Sequence, residues 1–153
     1  MCRVLALLML SLLTSPVFAT TTSIQFEKVR FDPPTGWKVH QHAKDQNLVI
    51  MSLTNGTDQA HMYARGETQI DMKKIFANGS ETIRDYTDYS ANGITWRTLI
   101  TKKTNRDINK TTFVASFLTE RDGKSYYGYS RGTTESAAIT NATALMNATN
   151  NLP

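Results

Sequence analysis

The chain predicts an α+β domain: a mainly antiparallel sheet with two flanking helices. Three observations lead there. Residues 94–132 hold runs dense in Thr, Ile, Val, Phe, Tyr and Trp, split by Asp122-Gly123, a dipeptide that supplies both positive φ values of a tight hairpin. Residues 47–63 repeat the pattern around Asn55-Gly56. The apolar period then switches from that of a strand to that of a helix over 71–85, and again over 136–151.

Residues 1–19 read as an export signal. Arg3 is a short positive region, residues 4–13 are apolar, and Pro16-Val17-Phe18-Ala19 offers a cleavage site with small residues at the −3 and −1 positions. The apolar run is too short to span a bilayer comfortably, and no second run of about twenty apolar residues follows. Residues 20–153 are therefore expected to form one domain, periplasmic or secreted, with no transmembrane segment. Cys2 is the single cysteine and falls inside the signal, which removes disulfide scaffolds, thiol nucleophiles and thiolate metal sites from consideration. The net charge of +4 becomes +3 once Arg3 is gone. Lys73-Lys74 and Lys102-Lys103 aside, the basic residues are scattered among acidic ones, without the dense stripe of a nucleic-acid binder.

After a Thr-rich start, residues 24–31 alternate with period two, with a slip after Glu27. Asp32-Pro33-Pro34-Thr35-Gly36 stops that strand, since neither proline can donate to a ladder, and Trp37 to His40 restarts it. Residues 48–53 are apolar at nearly every position, as in a strand covered on both sides. A two-residue Asn55-Gly56 loop would set Met51 opposite Ala60 and Val49 opposite Met62.

Over 71–85, Met72, Ile75, Phe76, Gly79 and Ile83 fall on one helical stripe, with Asp71 as N-cap and a possible break at Asn78-Gly79-Ser80. Residues 86–93 read as an aromatic, polar loop. The meander follows. With Asp122-Gly123 as its second turn, Leu118 faces Tyr127 and Phe117 faces Gly128, so Phe113, Ala115, Phe117 and Tyr126 share one face and Val114, Leu118, Tyr127 and Tyr129 the other. Both faces need cover. The terminal helix over 136–151 carries Ala138, Ile139, Ala142, Leu145 and Met146 on its apolar stripe.

The Pro34, Gly36 and Trp37 stretch, followed by this order of strands, helix, meander and helix, resembles the Mog1/PsbP-like family. The resemblance implies an α-β-α sandwich and a non-catalytic binding or assembly role, with no particular partner.

His40 and His42, two apart on a strand, with His61 as third member, form the metal-like spacing of the chain. Lys38 on the same face would repel a cation, and solvent-exposed histidines are the expected outcome. Trp37, Trp96, Tyr86, Tyr89, Tyr127 and Tyr129 are the candidate ligand-binding residues, since amphipathic aromatics recur at recognition surfaces; packing across the ladder is the competing explanation. No Gly-x-Ser-x-Gly elbow or Gly-rich phosphate loop occurs, so no catalytic residue and no cofactor is assigned. Sequons stand at Asn55, Asn78, Asn109, Asn141 and Asn147.

The reading is an exported, non-catalytic protein that binds another protein or a small apolar ligand. The alternatives are an extracytoplasmic hydrolase or metal-dependent enzyme using the histidines, and a glycosylated secreted interaction protein of a eukaryote.

Overall fold

The structure, a computed structural model, describes residues 23–26, 28–44, 48–54, 59–65 and 70–151. The expected export signal and the Asn55-Gly56 turn lie outside them. Ten strands and two helices are described: β1 (Ile24–Phe26), β2 (Val29–Phe31), β3 (Lys38–Lys44), β4 (Leu48–Thr54), β5 (Gln59–Arg65), α1 (Met72–Phe76), β6 (Glu81–Ala91), β7 (Ile94–Asn105), β8 (Lys110–Arg121), β9 (Lys124–Gly132), α2 (Glu135–Asn147) and β10 (Thr149–Asn151). The class is α+β, with two antiparallel sheets. The larger has the order β3-β4-β5-β9-β8-β7-β6, and the smaller is β1-β2-β10.

The meander pairs as its turn chemistry requires. Asp122 and Gly123 take φ of 49° and 76°, and Leu118 faces Tyr127 while Phe117 faces Gly128. Alternation along β8 then feeds two separate cores. On one face, Phe117, Ala115, Tyr126, Trp96, Ile94 and Ile100 meet Ala138, Ala142, Leu145 and Met146 of α2, with Val29 and Phe31 of the small sheet closing the layer. The Trp96 and Phe117 rings meet edge to face at 5.4 Å. On the other face, Leu99, Leu118 and Tyr127 are covered by Met72 and, at the margin, Phe76 of α1.

Five expectations are corrected. The helix expected over 71–85 is only Met72–Phe76: Asp71 caps it as predicted, accepting from the Lys74 N–H at 3.2 Å, but Gly79 at φ 68° turns the chain away. The second helical layer is thus a patch rather than a full cover. Residues 81–91 are an edge strand where a helix end and a loop were expected, because Thr82, Ile83, Tyr86, Thr87 and Tyr89 favour a pleated surface and a ladder with β7 is available. The signal for it is Asn92-Gly93, whose φ of 52° and 73° make the β6-β7 hairpin with Ala91 opposite Ile94.

In the β4-β5 hairpin, Met51 faces Met62 and Thr54 faces Gln59, so the connection is 55–58 rather than two residues. The pairing differs from the expected one by two residues. The 24–31 segment is two strands, β1 folding back on β2 with Phe26 opposite Val29. The terminal helix ends at Asn147, and Thr149–Asn151 leaves it to join β2 as β10, with the Asp32 N–H donating to Ala148 O at 2.8 Å.

At Gly132 the start of α2 lies close against the end of β9. A Cβ there would lie 2.7 Å from the Ala138 nitrogen and 3.0 Å from Thr134 O, both backbone atoms that cannot swing aside. Gly132→Ala is therefore expected to cost about 1–3 kcal/mol by overpacking. Phe117→Ala, at a fully buried site, is expected to cost about 3–5 kcal/mol. Urea melts of the two variants against the parent check both.

Candidate functional site

The aromatic residues singled out above do not form one wall; the pleat divides them between the two faces. Trp37 and Trp96 are buried in the α2-side core, and Tyr89 packs against its margin with its hydroxyl donating to Asn147 Oδ1 at 2.8 Å. Tyr127 is buried on the α1 side, 6.4 Å from the Phe76 ring, and Tyr129 lies 5.4 Å from the same ring with the Arg131 guanidinium 5.2 Å from its centre. Tyr86 alone of the six is largely exposed, at 40%.

An irregularity in β6 places Tyr86. The β6-β7 register slips between Arg84, opposite Ile100, and Thr87, opposite Thr98, so Asp85 and Tyr86 share the space of one partner residue. Local bonds hold this bulge: Asp85 Oδ1 accepts from the Tyr86 N–H at 2.8 Å, and the Thr98 hydroxyl donates to Thr87 O at 2.8 Å. The Tyr86 hydroxyl accepts from the Lys73 N–H at 3.3 Å, which ties the bulge to the first turn of α1. Two cations approach the ring, Lys73 Nζ at 5.1 Å and Arg97 Cζ at 5.5 Å from its centre.

Next to Tyr86 lies an open cleft of about 550 Å³, walled by Ile70 and Asp71 at the start of α1 and by Asp88, Thr95, Arg97, Leu118, Thr119 and Glu120 of the sheet. Register explains its floor: Asp88, Arg97, Leu118 and Tyr127 are direct cross-strand neighbours over β6 to β9 and so project to one face. Since α1 begins at this end and runs away from it toward Thr101, the floor is left open. Three carboxylates and one guanidinium line it beside Ile70, Leu118 and the Tyr86 ring, a surface suited to a partner that offers both a cationic and an aliphatic group. Nothing in the sequence brings these residues together, because Tyr86 and Asp88 read as loop and the others lie in separate segments.

His40 and His42 lie on β3 and His61 on β5. Residues 41–44 continue β3, and the β3-β4 register shifts between Gln41 and Ala43. His40, Ser52 and His61 share a cross-strand row, so His40 and His61 stand two strands, roughly 10 Å, apart. His40 is exposed; the side chains of His42 and His61 lie outside the described residues. Among the described residues no three His, Asp, Glu or Cys side chains gather as a metal ion would require.

Of the sequons, Asn78 and Asn109 are exposed, Asn141 is buried in the face of α2 against the core, and the Asn147 side chain is engaged with Tyr89. Asn55 lies outside the described residues. No helix among the described residues is long and apolar enough to cross a membrane.

The Lys73 ammonium bonds Asp85 Oδ2 at 2.7 Å beside Tyr86. That hydrogen bond, with help from the Tyr86 N–H, holds the Asp85 carboxyl below the ordinary carboxylate value, and the same bond raises Lys73. The lowered acid makes the pair's contribution fully present above the unfolded-chain carboxylate value and lost as pH falls through the lower, folded one. The raised base keeps its contribution below the ordinary lysine value and loses it as pH rises through the higher, folded one. A carboxyl-carbon NMR titration is expected to find Asp85 below 3.8, and Lys73→Met to move it back up. Both groups are in water, so the shift should shrink in high salt and the thermal midpoint should hardly move.

No protein-family model matches this chain, and no curated protein matches it. Among solved structures, the chain is similar to the crystal structure of LpqN involved in cell envelope biogenesis of Mycobacterium tuberculosis, with 11% sequence identity and a TM-score of 0.46 over 86% of this chain and 90% of that one.

Proposed function

We propose that this is an exported, non-catalytic binding or assembly protein that receives its partner in the open cleft beside Tyr86. The observation that carries the reading is the cleft itself, a concavity at the uncovered end of the α1 face in which apolar and ionised groups converge around an exposed aromatic ring. The signal-like residues 1–19 support export. Trp37 and Trp96, by contrast, serve the core beneath α2. A partner bound on the outer surface of the sheet therefore fits better than a small apolar molecule between sheet and helix. The cleft's carboxylates favour a protein segment bearing Lys or Arg next to an aliphatic residue.

The family reading is part of the same proposal. Helix α2 on one face, the short α1 on the other and the turn at Pro34 to Trp37, where the Trp37 N–H donates to Pro34 O at 3.1 Å, support a reduced Mog1/PsbP-like sandwich.

A photo-crosslinking residue in place of Thr95, on the cleft wall, tests the site in the exporting cell. The expected outcome is a discrete adduct that Asp88→Arg and Tyr86→Ala each abolish without lowering the thermal midpoint; an adduct indifferent to both variants would sink the reading. The intact mass of the exported protein is expected to lack residues 1–19, and a retained leader would remove the export half of the proposal.

A further inference from the structure

The end of the sheet away from the cleft carries a second, differently built surface. Strands β7 and β8 remain paired out to Asn105 opposite Lys110, and residues 106–109 turn the hairpin. Its tip is held in shape. The Asn109 N–H donates to Arg106 O at 3.4 Å, the Asp107 N–H to Asn105 Oδ1 at 3.0 Å, the Thr104 and Thr111 hydroxyls bond across the strands at 3.1 Å, and Asn109 takes φ 47°. On this rigid tip stands Ile108, 65% exposed, the most exposed large apolar side chain among the described residues.

An exposed aliphatic residue by itself is ordinary. Its setting is not. Lys102, Lys103, Arg106 and Lys110 surround it within nine residues, against the single acid Asp107. Lys102 is 3.5 Å from Glu81, whereas Lys103, Arg106 and Lys110 are exposed and make no ion pair among the described residues. A turn of this shape needs no isoleucine, and polar residues would fill it without exposing apolar surface. One apolar side chain beside three exposed cations with no ion pair among the described residues matches the boundary of an anionic bilayer, where the cations meet phosphates and the aliphatic group enters the acyl region.

We propose that the β7-β8 hairpin tip docks this protein onto an anionic lipid surface, with Ile108 inserted and Lys103, Arg106 and Lys110 on the headgroup phosphates. Arg97 in the cleft is eight residues along β7 from Asn105, roughly 26 Å at strand rise, so a protein standing on its tip would hold the cleft clear of the membrane. The tip's role does not depend on what the cleft binds.

Vesicle co-sedimentation of the protein as it accumulates in the exporting cell tests this, with equal parts phosphatidylglycerol and phosphatidylcholine against phosphatidylcholine alone. Binding is expected to be at least about tenfold stronger to the anionic vesicles, to fall with salt, and to fall about tenfold or more in Ile108→Asp and in the double variant Lys103→Glu/Arg106→Glu, with unchanged melting curves. Ile108→Leu should keep it. Any contribution of residues 1–19 is common to all these proteins and cancels in the comparison. Equal binding to both vesicles, or anionic binding that Ile108→Asp leaves intact and heparin competes away, would overturn the proposal; the latter outcome would assign the patch to soluble polyanions.

Discussion

Strand β8 is apolar on both faces, and the rest of the structure answers the need to take each face out of water separately. Phe117 and Ala115 point one way and Leu118 the other, with Ser116 between them satisfied by donating to Leu99 O at 3.1 Å. Because this strand is third from one edge of a seven-stranded sheet, neighbours on both sides carry the same two faces outward. One cover is substantial. Helix α2 lies across β8 and β9, brought close by Gly132, and the Ser130 hydroxyl bonds Ala138 O beneath it. The other cover is one short helix, and the difference between the two is the origin of the cleft.

That asymmetry follows from connectivity. The chain crosses from β5 in the first hairpin to β6 at the far edge over one face, and from β9 back to the small sheet over the other. The second crossing is thirteen helical residues and is locked at its end: the Asn92 amide donates to Asn147 O at 2.7 Å and Thr149 O at 3.0 Å, and the Thr149 hydroxyl donates to Leu145 O. The first crossing is stopped at Gly79 after five. It begins beside the cleft at Ile70 and Asp71 and runs away from it toward Thr101, whose hydroxyl lies 3.4 Å from Phe76 O, so the Asp88-Arg97 end of the row stays bare.

The edge strand then finishes the site. Two register irregularities in β6 bend an otherwise long free edge, a common protection against edge-to-edge association. Here the one between Arg84 and Thr87 also aims a tyrosine at α1. The Tyr86 ring sits among Lys73, Asp85 and Arg97, all of them exposed, so these pairings orient the ring more than they stabilise the fold. The cleft and the hairpin tip are thereby separated by the length of a strand: an acidic cleft with an aromatic wall at one end, and a basic tip with an isoleucine at the other.

The sequence by itself determined the meander, the cap at Asp71, the face each β8 residue takes and the terminal helix, because hairpin dipeptides and apolar periodicity act over a few neighbouring residues. It also contained Asn92-Gly93, a hairpin signal strong enough to have revealed β6 had the helical stripe of 71–85 not extended across it on paper. Only the tertiary structure decided that Ile83 to Tyr89 would be strand, since the same side chains satisfy either period and the vacant edge of β7 made the choice. The cleft was decided there too. Asp71, Asp88, Arg97 and Glu120 belong to four separate segments, and what brings them together is register across three strands and the docking of the start of α1 beside them, neither of which is written in any local stretch of residues.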